Sequence, residues 1–228
     1  MEFTLLFAAL TGVGFAWIGV RIQRHRGLLS EVDKPTDVLI GGIGIGIIAG
    51  RLASMALAGV NPLTNPADVL LVRGGVDTVV ASTTAIAVVA WTLRHQPTAL
   101  DQLAPAALVG LSGWHAGCLW TGSCLGAATE GVWGLTLPGS DVARHPTEIY
   151  AAIILLVGAV LVGRLREPLR ATGAAIAVAG FARLVTEPLR PSIMGGPVIW
   201  YAAAIAAGVL IAATGSRLLE RTGLSRAP

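Results

Sequence analysis

Arg144-His145-Pro146-Thr147-Glu148-Ile149-Tyr150 leads without a break into the apolar run Ala151–Gly163, AAIILLVGAVLVG. From residue 146 onward the run is close to the roughly 20 apolar residues a membrane-spanning helix needs. Arg144, His145, Glu148 and Tyr150 stand at its mouth. The chain is 54% hydrophobic and only 13% charged, so polar groups are scarce. A cluster of them at a membrane boundary is costly and points to use.

The same character extends outward in both directions. A mean hydropathy of +0.73 belongs to a membrane protein and excludes a soluble core with a single anchor. Seven apolar segments predict spanning helices at 2–20, 37–59, 74–93, 102–121, 146–163, 171–187 and 197–215. The expected fold is therefore all-α, a polytopic membrane protein with seven transmembrane helices, in one domain over 1–228. The first segment has no basic residues before it, and Arg21, Arg24 and Arg26 follow it. It reads as a retained helix rather than a cleaved signal peptide.

Lysine and arginine set the orientation. Eleven of the 16 fall at 21–36, 94–101, 164–170 and in the tail, on one side of seven alternating helices. Arg73, Arg144 and Arg190 fall on the other. The positive-inside rule then places the N-terminus outside and the C-terminus in the cytoplasm. The basic loops face lipid headgroups and are too sparse for nucleic acid. Trp17, Trp91, Trp120, Trp133 and Trp200 fall where interfacial anchors belong.

Helix 37–59 carries Gly41-Gly42-Ile43-Gly44-Ile45-Gly46, a pattern for close backbone packing. No strand precedes it, so a nucleotide loop is a poor competitor. Residues 67–72 read as a short surface helix, and 122–145 as a folded lid or a headgroup-level segment. Cys118 and Cys124 match no zinc pattern. They read as packed small residues, with an outward-facing disulfide as the alternative. No metal or cofactor is expected.

Several polar groups fall inside apolar runs. Arg51 needs an acid such as Asp77, a route to the surface, or an anion. Arg183 and Glu187 are four apart and share a helix face, with Arg190 beyond. They read as an ion pair or as an anion site in which Glu187 holds a guanidinium bidentately. Asp77 suits the start of its helix. His115 lies three residues before Cys118, and the two form a candidate base–nucleophile pair. His145 opens the next helix, with Pro146 in its first turn.

These residues resemble the prolipoprotein diacylglyceryl transferases. His145 through Tyr150 is similar to that family's His-Pro-Ser/Thr-Gln-Leu-Tyr signature, with Glu148 replacing glutamine. Arg183-Leu184-Val185-Thr186-Glu187-Pro188-Leu189-Arg190 resembles its Arg-Phe-x-x-Glu-x-x-Arg. Gly117–Gly126 and Trp133–Pro138 resemble its Gly-Asn motif and the run after it. Gly50-Arg51-Leu52 and Gly74-Gly75 resemble two further segments. The resemblance runs over about 50–205. It departs at Val79 and His115, where the family has His and Arg, at Cys118 and Thr121 for two asparagines, at Ser123 for an acid, and at Phe3 for a tyrosine.

The resemblance implies seven helices and a multi-pass protein of the bacterial inner membrane. It implies diacylglyceryl transfer from phosphatidylglycerol to the lipobox cysteine of prolipoproteins, with phospholipid, signal peptide and bilayer as partners. His145, His115, Arg183 and Glu187 become the catalytic candidates. Arg51, Arg144, Arg190, Tyr150, Glu148, Cys118 and Gly122 become the substrate-binding candidates. A transferase with an altered acceptor and a non-catalytic phospholipid-binding homologue are the alternatives.

Overall fold

The computed structural model describes residues 4–64, 66–70, 75–120, 124–136, 139–190 and 196–222. Seven long helices dominate them: α1 (Thr4–His25), α2 (Pro35–Leu57), α4 (Thr78–Thr92), α5 (Pro97–Ala116), α6 (Thr147–Val162), α7 (Arg170–Thr186) and α8 (Val198–Thr222). A one-turn helix, α3 (Ala67–Leu70), covers the described part of the expected surface helix. Two isolated bridges are the only extended pairing among the described residues.

The boundaries move for chemical reasons. α2 and α5 begin earlier than hydropathy alone marks, because Pro35 and Pro97 are preorganised for a first turn. α4 begins only at Thr78, since Asp77 caps it and accepts a hydrogen bond from the Val80 amide at 2.9 Å. α6 starts one residue later than expected, leaving His145 in the preceding loop with Pro146 as cap. α5 tightens into a 3-10 turn over Gly117–Trp120.

Helices pair antiparallel through small-residue contacts. Gly42, Gly46 and Gly50 face α4, and a Cβ on Gly46 would lie 2.5 Å from the Ala81 carbonyl oxygen. Gly41 and Gly44 face open space. In the same way α1 meets α5 through Gly12 and Gly110, and α7 meets α8 through Gly173 and Gly208. Such stripes let backbones approach where apolar burial cannot drive association. Ser112 adds a buried hydrogen bond from α5 to the Ala152 carbonyl of α6, at 3.0 Å.

The exterior is apolar, with Leu10, Ile45, Ile48, Ile86, Ile153, Val160, Leu161 and Leu210 exposed. Trp17, Trp91, Trp133 and Trp200 are also exposed, and Arg21 and Arg94 each lie 4.6 Å from a tryptophan ring centroid. α2 and part of α8 are long and apolar enough to cross a membrane, whereas α4 and α6 are apolar but shorter. Antiparallel pairing gathers the ends of α5 and α7 and the starts of α6 and α8 at one end of the bundle. Residues 124–136 and 139–146 fold back there: His145 and Ala127 pair through the His145 amide, and the Ala127 amide reaches the Leu189 carbonyl at 2.7 Å. A disulfide joins Cys118 to Cys124.

Candidate functional site

Glu148, in the first turn of α6, is the centre of the charged cluster at that end. Its Oε2 lies 2.5 Å from His115 Nδ1, at the end of α5. Its Oε1 lies 3.5 Å from Arg183 Nη1, at the end of α7, and also meets Arg190 Nη2. Glu187, in the 3-10 turn after α7, stands 3.8 Å from Arg183 and 4.0 Å from Arg190. Tyr201, from the first turn of α8, accepts from Arg183 Nη2 at 3.2 Å and sets its ring beneath that guanidinium. Four helices thus each contribute a polar group from one end.

Burial explains why these groups hold each other. His115 and Glu187 are buried, and Glu148 and Arg183 nearly so. A charge taken from water needs a partner, and each guanidinium here has two. Burial also lowers Arg190's hold on its proton from the ordinary value, opposed by Tyr201. Starting so high, it remains a cation at neutral pH. Among the described residues, Glu187 Oε2 accepts no hydrogen bond. Bidentate clamping of an arginine by Glu187, expected from the sequence, is therefore not what the structure holds. Gly196 passes so close that a Cβ on it would overlap the Glu187 carboxylate, so backbone forms this wall of the site.

The other expected residues lie apart from this cluster. Arg51 is buried, and among the described residues it pairs with no acid: its Nε and Nη2 donate to the Asp68 carbonyl and its Nη1 to that of Gly75, at 2.8–3.0 Å. The pairing with Asp77 is replaced by the helix cap. Arg144 donates to the Gly126 carbonyl at 3.2 Å and bridges Leu135 through its backbone. His145 Nδ1 is 3.5 Å from the Tyr150 hydroxyl, with the rings edge to face. Cys118 is bonded to Cys124, so the reading of two packed, unpaired cysteines gives way to the disulfide. Cys118 has no thiol to offer as a nucleophile in this state. Gly122 lies outside the described residues, as do Phe3, Arg73, Gly74, Thr121 and Ser123. Tyr201 was not expected; its only sequence signal is a tyrosine opening a helix opposite the arginine pair.

Cations and acids buried at one end of an otherwise lipid-facing bundle define a helical membrane protein with an internal polar site. The model of the prolipoprotein diacylglyceryl transferase family matches residues 3–197. The chain belongs to that family. The phosphatidylglycerol–prolipoprotein diacylglyceryl transferase of Geobacter sulfurreducens is 30% identical to it over 160 residues. That match covers 65% of this chain and 61% of the relative, so the chain spans about three-fifths of the relative's length.

Proposed function

We propose that this protein transfers the diacylglyceryl group of a phospholipid to the lipobox cysteine thiol of a prolipoprotein. Phosphatidylglycerol, the lipid in its relative's name, is the first donor to test. The setting is a bacterial cell membrane crossed seven times, with the N-terminus outside, the C-terminus in the cytoplasm and the site at the outer face. The observation that carries this reading is the meeting of Arg183 and Arg190 with the His115–Glu148 pair at one end of the bundle. Those residues supply what the reaction requires.

His115 binds Glu148 through Nδ1, which leaves Nε2 to take the thiol proton. The thiolate sulfur forms a bond to the terminal glyceryl carbon, and the carbon–oxygen bond to phosphate breaks. The electron pair departs on the phosphate oxygen, which Arg183 and Arg190 stabilise as charge develops. The proton on His115 then passes to the leaving phosphate, giving a thioether and glycerol phosphate. Glu148 fixes the imidazole, and Glu187 and Tyr201 keep Arg183 in place. His145, beside Tyr150, is the second candidate for the proton. Arg51 and Arg144 act by holding backbone carbonyls, Arg51 those of Asp68 and Gly75 and Arg144 that of Gly126.

One observation favours a second reading, a phospholipid-binding homologue without turnover: Glu148 already occupies both guanidiniums. Purified protein incubated with labelled phosphatidylglycerol and a lipobox peptide separates the two. A thioether product supports transfer. Co-purified phospholipid with no product, where an active relative succeeds, removes it.

A further inference from the structure

The two carboxylates of the charged cluster are not equally engaged. Glu148 uses both oxygens, Oε2 with His115 and Oε1 with Arg183 and Arg190. Glu187 turns its Oε1 to the Gly196 backbone, where a Cβ would overlap it. Its Oε2 is turned to the guanidiniums, 3.8 Å from Arg183 Nη2 and 4.0 Å from Arg190 Nη1. Those separations lie in ion-pair range and beyond hydrogen-bond reach. Glu187 is 6% exposed, and among the described residues its Oε2 accepts no hydrogen bond. A buried acceptor left without a donor is costly, so a ligand that supplies one is favoured.

The position of this oxygen limits the donor. It lies within 4.0 Å of both guanidiniums, so its partner sits beside whatever anion they hold. A third cation there would be repelled by the two arginines, whereas a neutral hydroxyl would not. A guanidinium also carries more N–H groups than Glu148 and Tyr201 take from Arg183, which leaves donors for a phosphate. The phosphate is thus met by the arginines and a hydroxyl close to it by Glu187. The headgroup of phosphatidylglycerol has this form, a vicinal diol within a few bonds of the phosphodiester.

We infer that Glu187 is a specificity residue that recognises a hydroxylated headgroup, with Oε2 accepting from a headgroup hydroxyl while Arg183 and Arg190 hold the phosphodiester. The inference rests on the lipid-site reading above and assigns the headgroup contact to one atom of this chain.

The test is a titration of delipidated full-length protein in nonionic detergent with short-chain phosphatidylglycerol or phosphatidyl-1-propanol of the same acyl chains. The second lipid keeps the phosphodiester charge and the headgroup carbons and lacks the hydroxyls. The wild type is expected to bind phosphatidylglycerol at least about tenfold more tightly, a difference of about 1.4 kcal/mol. Glu187→Met removes the acceptor at similar volume and is expected to bind the two lipids equally. Glu187→Gln keeps a neutral acceptor, roughly half as strong, and is expected to retain about threefold. Equal binding of the two lipids by the wild type overturns the inference while leaving a lipid site standing. Full discrimination surviving in Glu187→Met or Glu187→Gln overturns the assignment to Glu187. Failure of both lipids to bind the wild type saturably overturns the lipid-site reading as well. The wild-type comparison and Glu187→Gln decide the matter even where Glu187→Met folds poorly.

Discussion

Replacing Glu148 by alanine removes the one side chain that touches His115, Arg183 and Arg190 together. Among the described residues Glu187, at 3.8 and 4.0 Å, is then the one acid left to the two guanidiniums, and Arg183 keeps Tyr201. Removing one partner from a buried ion pair costs about 3–5 kcal/mol, because the other charge is stranded. The Arg190 side chain is 31% exposed, which places the expected loss near the lower end, at about 3 kcal/mol. For a chain of this size each kcal/mol lowers the melting temperature by about 2–4 °C, so Glu148→Ala should melt roughly 6–12 °C below the wild type. Tryptophan fluorescence in nonionic detergent reads the transition, since the chain carries six tryptophans. Glu148→Gln keeps an acceptor for His115 and should lose less. Inorganic phosphate should restore part of the alanine variant's loss and leave the wild type unmoved. A drop below about 2 °C for the alanine variant, or no response to phosphate, would refute the argument that this carboxylate balances the two arginines.

Gly46→Leu should destabilise the α2–α4 pair by about 1–3 kcal/mol in the same melt, whereas Gly44→Leu, whose site is open, should not; equal effects would contradict the stripe. Cys118→Ser with Cys124→Ser removes a six-residue cross-link and should cost about 2 kcal/mol, with a matching loss on chemical reduction of the wild type. Mutation and reduction giving different shifts would assign the effect to something other than the bond. Arg51→Met leaves the Asp68 and Gly75 carbonyls without their guanidinium donors and should speed proteolytic cleavage between α2 and α4 at unchanged α7–α8 protection. An unchanged cleavage rate would deny Arg51 its anchoring role.

The helices were legible because each is an apolar run, whereas which of them pair was not, since α1 packs against α5 far along the chain. Their ends were less so. Hydropathy cannot see that Asp77 caps α4 or that Pro97 can start α5 among polar residues. Within the site, Arg183, Glu187 and Arg190 were readable from their spacing at the end of one helix. Their relation to Glu148 and His115 was not, because it depends on how three helices converge. Arg51 shows the same limit from the other side. A buried arginine announces need, yet the backbone carbonyls that satisfy it leave no mark in the sequence. Tyr201 passed unnoticed because a tyrosine at a helix end is also what a lipid interface favours.

The Cys118–Cys124 bond sits at the same end of the bundle as the charged cluster, closing the segment whose Cys124 carbonyl receives the Thr147 hydroxyl. Such a bond forms and persists in an oxidising compartment and is rare where glutathione and thioredoxin act. The two sulfurs therefore keep a chemical record of sidedness. Whole-protein mass, measured with and without thiol alkylation in intact cells, reports which compartment the cluster faces. It does so without counting a single lysine or arginine.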